Sequence, residues 1–252
     1  MSATPVHVPP EVFRWAATLA AAGRGLVGVY LHGSAVLGGF DPARSDVDVL
    51  AVGEPGTAAD QRRLGEAIVA ATRAERCPGT GLELSVITAA TARDLGACPF
   101  EVHVNTTGPE PVIVPGADAA GDPDLVLHAA VCRTHAVAVL GPPPARVFGP
   151  VPRDRVLAAM ADELRWGLDH GRPAYAVLNA CRAARFAEDG VLCSKIDGAA
   201  WYLARHPGDA TVTAALSHHR TGAPGPGADE AAAFVEATLT TTRWPPGPGP
   251  IR

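Results

Sequence analysis

The stretch that decides the fold is Leu26-Val27-Gly28-Val29-Tyr30-Leu31-His32-Gly33-Ser34, eleven further residues, then Asp46-Val47-Asp48-Val49-Leu50-Ala51-Val52. The first apolar run predicts a buried strand, and Gly33-Ser34 a turn close to where a helix begins. A loop rich in Gly and Pro follows, and residues 46–52 predict a second strand. Side chains alternate along a strand, so Asp46 and Asp48 point to one face, roughly 6–7 Å apart along the chain. Two carboxylates on an apolar strand repel each other and lose solvation, which is costly unless a cation sits between them. A hard ion such as Mg²⁺ takes oxygen ligands and commonly combines one or two carboxylates with substrate phosphates. The Gly33-Ser34 turn offers backbone N–H groups and a hydroxyl, which suit a phosphate.

Working outward, Pro9-Pro10 precedes an amphipathic helix ending at Gly23, and residues 57–76 predict another. In that second helix Leu64, Ile68 and Ala71 share one face, with Gln61, Arg62 and Glu66 outside. Residues 82–87 form an alternating strand on which Glu83 shares a face with Ser85. A third acidic residue there could complete a metal shell or take the proton from an attacking hydroxyl. Residues 91–95 predict a short helical link. Residues 100–104 predict a strand with Glu101 and His103 on an exposed edge face. Asp122 and Pro123 are placed as N-cap and first residue of a helix running to Gly141, with His128 and His135 as structural or surface residues.

Pro142-Pro143-Pro144 and Gly149-Pro150-Val151-Pro152 frame the expected domain boundary. Residues 1–149 form an α/β (α+β) domain with a mixed sheet. Residues 150–244 form an all-α helical bundle, with helices at 153–170, 174–188, 194–206, 210–219 and 229–243, and residues 245–252 a disordered tail. Arg182 lies in a mostly apolar helix, where a charge needs a partner. Lys195, the single lysine of the chain, falls in the first turn of its helix. The helix dipole disfavours a cation there, so the placement makes sense if the side chain reaches an anion such as a triphosphate.

The chain has 252 residues, 47% of them apolar and 19% charged, which is enough for real cores and excludes a disordered protein. A net charge of −5 argues against general nucleic-acid binding. No run reaches the roughly 18 apolar residues of a membrane span, and the N-terminal residues lack signal-peptide features. A cytoplasmic, monomeric protein is expected. Five cysteines without paired spacing predict free, buried thiols instead of a zinc site or disulfide framework.

Gly-Ser followed at this spacing by Asp-x-Asp on a strand resembles the signature of the polymerase-beta-like nucleotidyltransferases. More of the chain is similar to the aminoglycoside nucleotidyltransferases, specifically the streptomycin/spectinomycin (3'')(9) adenylyltransferase branch. The likeness runs through residues 82–86, 139–142, 148–152 and 177–182, and on through Ser194-Lys195-Ile196-Asp197-Gly198-Ala199-Ala200-Trp201. The resemblance implies an α/β domain and a helical domain binding ATP–Mg and an aminoglycoside or aminocyclitol. It implies Mg²⁺, as two ions, on Asp46 and Asp48 with Glu83, and Glu83 as catalytic base. Nucleotide binding falls to Gly33, Ser34, Arg44, Asp46, Asp48, Arg182 and Lys195, and acceptor binding to Glu83 and Asp169. The chain departs from the streptomycin-modifying members in two places. Asn105-Thr106-Thr107 stands where they carry a tryptophan, and the short Asp169-His170-Gly171-Arg172-Pro173 replaces a longer acidic loop. The competing expectations are a nucleotidyltransferase acting on a protein or natural-product intermediate, and a catalytically silent nucleotide-binding module.

Overall fold

The computed structural model describes residues 8–241, so the tail expected at 245–252 lies outside the described residues. The chain divides into two compact units, Met1–Val151 and Pro152–Arg252. In order, the first holds α1 (Pro10–Ala22), β1 (Leu26–Leu31), α2 (Ser34–Leu37), β2 (Val47–Gly53), α3 (Ala58–Ala74), β3 (Leu82–Thr88), α4 (Ala89–Arg93), β4 (Val102–Asn105), β5 (Val112–Pro115), α5 (Leu125–His135), β6 (Val137–Leu140) and α6 (Pro144–Val147). The second holds α7 (Arg153–Asp169), α8 (Pro173–Asp189), α9 (Lys195–Arg205), α10 (Ala210–Thr221) and α11 (Ala228–Thr241). No helix among the described residues is long and apolar enough to cross a membrane.

The six strands form one mixed sheet in the order β5-β4-β3-β2-β1-β6. Only β2 and β3 run parallel, joined by α3, and every other pair is antiparallel. Val47, Val49, Leu82, Leu84, Val86 and Val102 are buried on one face. There α3 packs so closely that a Cβ on Gly65 would overlap Ile113. The opposite face carries Asp48, Glu83, Ser85 and His103.

Three expectations are corrected here. The helix entered at Asp122 does not continue to Gly141. It spans Leu125–His135, and residues 137–140 instead pair antiparallel with β1, Tyr30 opposite Ala138. Cross-strand pairing, together with the β-branched Val137 and Val139, overrides the local helical pattern. Asp122 heads a turn, accepting at Oδ1 from the Asp124 N–H.

The strand with Glu101 and His103 is also no edge, because β5 flanks it. Glu101 accepts from Gly56 N–H and Gln61 Nε2, both at 2.9 Å, and His103 Nδ1 lies 2.9 Å from Ser85 Oγ.

Gln61 is buried, not outside. Its amide donates to Gly56 O and Glu101 and accepts from Ala117 N–H at 3.1 Å, pinning the start of α3 to the end of β5. Replacing it with leucine removes all three hydrogen bonds, so Gln61→Leu is expected to lower stability by about 1–3 kcal/mol in urea unfolding. A variant as stable as the parent would show that these bonds contribute nothing net.

In the helical unit, α8 is the central element. Val177, Leu178 and Cys181 pack with Ala199, Val212, Ala215 and Ala231, while Ala176 and Ala180 pack with Leu164 and Val235. Small residues on every side let four helices approach one. The cysteines are all free, and four of the five are buried, Cys77 being half-buried.

Candidate active site

The site is set by the register of the one parallel pair. Asp48 of β2 stands directly opposite Glu83 of β3, and parallel neighbours sit about 4.8 Å apart. Asp46, two residues before Asp48, points to the same face. Carboxylate oxygens of Asp46, Asp48 and Glu83 all lie within 4.8 Å of one another, each residue half-buried. The loop after α3 fixes the start of β2: Thr80 N–H donates to Ser45 O, and Val47 N–H to Gly81 O.

The end of β1 closes over the same carboxylates. His32 N–H donates to Asp48 O at 3.0 Å. Gly33 then takes φ 59°, a conformation few side chains tolerate, and an added Cβ would overlap the Asp48 carboxylate. Gly33→Ala is therefore expected to cost about 1–3 kcal/mol in backbone strain and to displace Asp48. Chemical denaturation reads this effect, and wild-type stability would contradict it. Ser34 Oγ next to it is buried and has no hydrogen-bond partner among the described residues. An orphaned hydroxyl beside a triangle of carboxylates fits an all-oxygen arrangement of hard cation and phosphate.

Arg44, in the loop before β2, is exposed and pairs with Asp41 at 3.1 Å. The Asp41 carboxylate also accepts from Ala43 N–H, and Ser45 Oγ accepts from Asp41 N–H at 3.0 Å, so this loop is closed by its own bonds.

The residues that sequence reading left out are histidines and aspartates from α5 and its approach. The His128 ring lies 4.8 Å from that of His32. Burial, then His128, pushes His32 well below the usual imidazole range, so it is neutral at physiological pH. Burial raises Glu83 above the ordinary carboxylate range. His128 works against that rise, while Asp46, Asp124 and Asp122 add to it. A half-buried carboxylate raised in this way is better able to accept a proton than a solvated one. His103 is lowered, mainly by burial. Little in the sequence marks these residues beyond the position of His32 just before Gly33-Ser34.

The remaining expected residues lie on the helical unit. Arg182 donates from Nε to Cys193 O at 2.9 Å and from Nη1 to Asn179 Oδ1 at 2.8 Å. Lys195 opens α9, capped by Ser194, and its Nζ stands 4.4 Å from the centre of the Tyr175 ring. Asp169 ends α7 exposed. In the same stretch the His170 ring stacks on Trp166 at 4.5 Å, and the Arg172 guanidinium lies 5.4 Å from the centre of the Trp166 ring.

Residues 146–239 match the family model described as aminoglycoside adenylyltransferase, C-terminal domain. Among solved structures, the chain is similar to the spectinomycin adenyltransferase AAD(9) from Enterococcus faecialis, determined with ATP and spectinomycin. The TM-score is 0.69 at 17% identity, covering 91% of this chain and 99% of that one. At that identity the likeness shows that the two chains share a fold. Comparison with curated proteins finds no match. The family match is thus confined to the helical unit and the few residues before it, and the likeness to AAD(9) adds a shared fold over most of the chain.

Proposed function

We propose that the protein is a nucleotidyltransferase that moves the adenylyl group of ATP to a hydroxyl of an aminoglycoside or aminocyclitol, such as spectinomycin or streptomycin, and releases pyrophosphate. The observation that carries this reading is the convergence of Asp46, Asp48 and Glu83 beside the Gly33-Ser34 turn. The family match of the helical unit and the fold of a relative solved with ATP and spectinomycin support it.

Asp46 and Asp48 would hold Mg²⁺, with Glu83 at the third corner of the triangle. When bound, the ion would neutralise charge on the triphosphate. Ser34 Oγ and the backbone N–H groups of the turn donate to phosphate oxygens. Glu83 takes the proton of the attacking hydroxyl, which then displaces pyrophosphate from the α-phosphorus in line. Arg182 and Lys195 bind the triphosphate, and Asp169 meets the acceptor. Positioning and fixed charge supply most of the rate in such transfers.

A second reading concerns the acceptor. Asp169 shares its short connection with His170 and Arg172, where several acidic groups would suit a polycationic sugar. That composition favours a less cationic acceptor, such as a natural-product intermediate or a protein. Incubating the full chain with ATP, Mg²⁺ and a panel of aminoglycosides and aminocyclitols separates these. A panel member gaining the mass of an adenylyl group, with pyrophosphate released, is expected. ATP bound without turnover on any acceptor would favour a silent binding module.

A further inference from the structure

Arg182 and Lys195 share one support. Glu163 of α7 accepts at Oε1 from the Tyr175 hydroxyl at 2.6 Å and from Asn179 Nδ2 at 3.3 Å. Tyr175, Asn179 and Arg182 occupy positions i, i+4 and i+7 of α8, which places them on one face of the helix. From Glu163, one arm runs through Tyr175, whose ring carries the Lys195 ammonium. The other runs through Asn179, whose Oδ1 accepts from Arg182. The arms rejoin, because Arg182 also binds Cys193 O, two residues before Lys195. A Cβ on Gly198 would crowd the Arg182 backbone, so the glycine lets α9 close onto this ring.

We infer that Glu163 is a positioning residue for nucleotide binding, holding Arg182 and Lys195 in place through Asn179 and Tyr175. The inference rests on the reading that these two cations meet the triphosphate. Asn179 is 2% exposed, so its amide has few alternatives to these partners. Held by Glu163, its nitrogen faces the carboxylate and its oxygen faces the guanidinium, which fixes the side chain's orientation. Burial and the Glu163 charge raise the Tyr175 phenol, so it stays protonated and keeps donating.

The test is calorimetry of ATP–Mg binding, with steady-state kinetics, on the full chain. Glu163→Ala is expected to weaken ATP affinity about tenfold, a coupling usual for residues in one network. KM for ATP should rise with it, while KM for the acceptor changes little. Glu163→Gln, whose amide oxygen accepts the same two donors, should recover most of the affinity. A purely structural role would lower the melting temperature without this split. If Glu163→Ala does not fold, Tyr175→Phe keeps the ring beneath Lys195 but severs it from Glu163. A loss of about threefold is then expected, and unchanged affinity overturns the inference. Lys195→Ala and Arg182→Ala serve as controls. Weak binding in both alongside full affinity in Glu163→Ala overturns this inference alone. Full affinity in both controls overturns the triphosphate reading, and the inference with it.

Discussion

Asp48→Asn, and likewise Asp46→Asn, is expected to reduce adenylyl transfer to below about a thousandth of the parent rate while leaving the fold intact. The amide keeps the shape of the side chain, so packing against Gly33 and β3 is preserved. What disappears is one of three charges crowded within 4.8 Å. Losing it relieves repulsion, and the variant should unfold at the same or a slightly higher urea concentration than the parent. The site, by contrast, loses an anionic oxygen that a hard cation needs. Pyrophosphate release and urea midpoints measured on the same preparations check both halves. Transfer at the parent rate in either variant would remove these aspartates from the centre.

Glu83→Gln is expected to lower kcat by roughly 10²–10⁴-fold, the usual worth of a general base, with ATP–Mg affinity nearly unchanged. Glutamine matches the size of Glu83 but cannot accept the hydroxyl proton. The raised basicity of Glu83 comes first from burial and then from Asp46, Asp124 and Asp122, so the fold itself prepares it for the role. Loss of ATP affinity in step with turnover would make Glu83 mainly a metal ligand and place the base elsewhere.

How far the site could be read from the chain depends on the range of the interactions involved. Asp46 and Asp48 share a face through the two-residue period of a strand, a local property visible in seven residues. Gly33 and Ser34 stand out for the same reason. The pairing of Asp48 with Glu83 is different, since it depends on the register of β2 against β3 across the whole of α3. Glu83 was legible as a residue on a suitable strand, and its place opposite Asp48 was not.

Longer-range pairing also explains the misreadings. Residues 137–140 continue a helical pattern locally and become β6 only because β1 offers an open edge. Val112–Pro115, set among glycines and prolines, gave no strand signal, so Glu101 and His103 looked exposed when β5 covers their flank. Gln61 looked polar and therefore external, although three hydrogen bonds make its burial tolerable. His128 reaches the site because α5 crosses the carboxylate-bearing face of the sheet beside His32, a tertiary fact that no spacing along α5 encodes.

In the helical half most of the architecture was legible, because its helices carry clear apolar periodicity and caps such as Ser194. What periodicity could not convey is the partner of Arg182. The expectation of a charge needing a companion is met by a carbonyl and an amide, and a carboxylate, Glu163, stands one residue further along the network.

The most direct test of the central claim follows the α-phosphorus. ATP labelled at that position, Mg²⁺ and a panel of aminoglycoside and aminocyclitol acceptors are incubated with the parent chain and with Asp48→Asn, and the label is traced by chromatography. The account predicts label on an acceptor, one pyrophosphate released for each transfer, and neither product with Asp48→Asn. Label transfer that persists undiminished in Asp48→Asn, or label that never leaves the nucleotide with any acceptor, would contradict it.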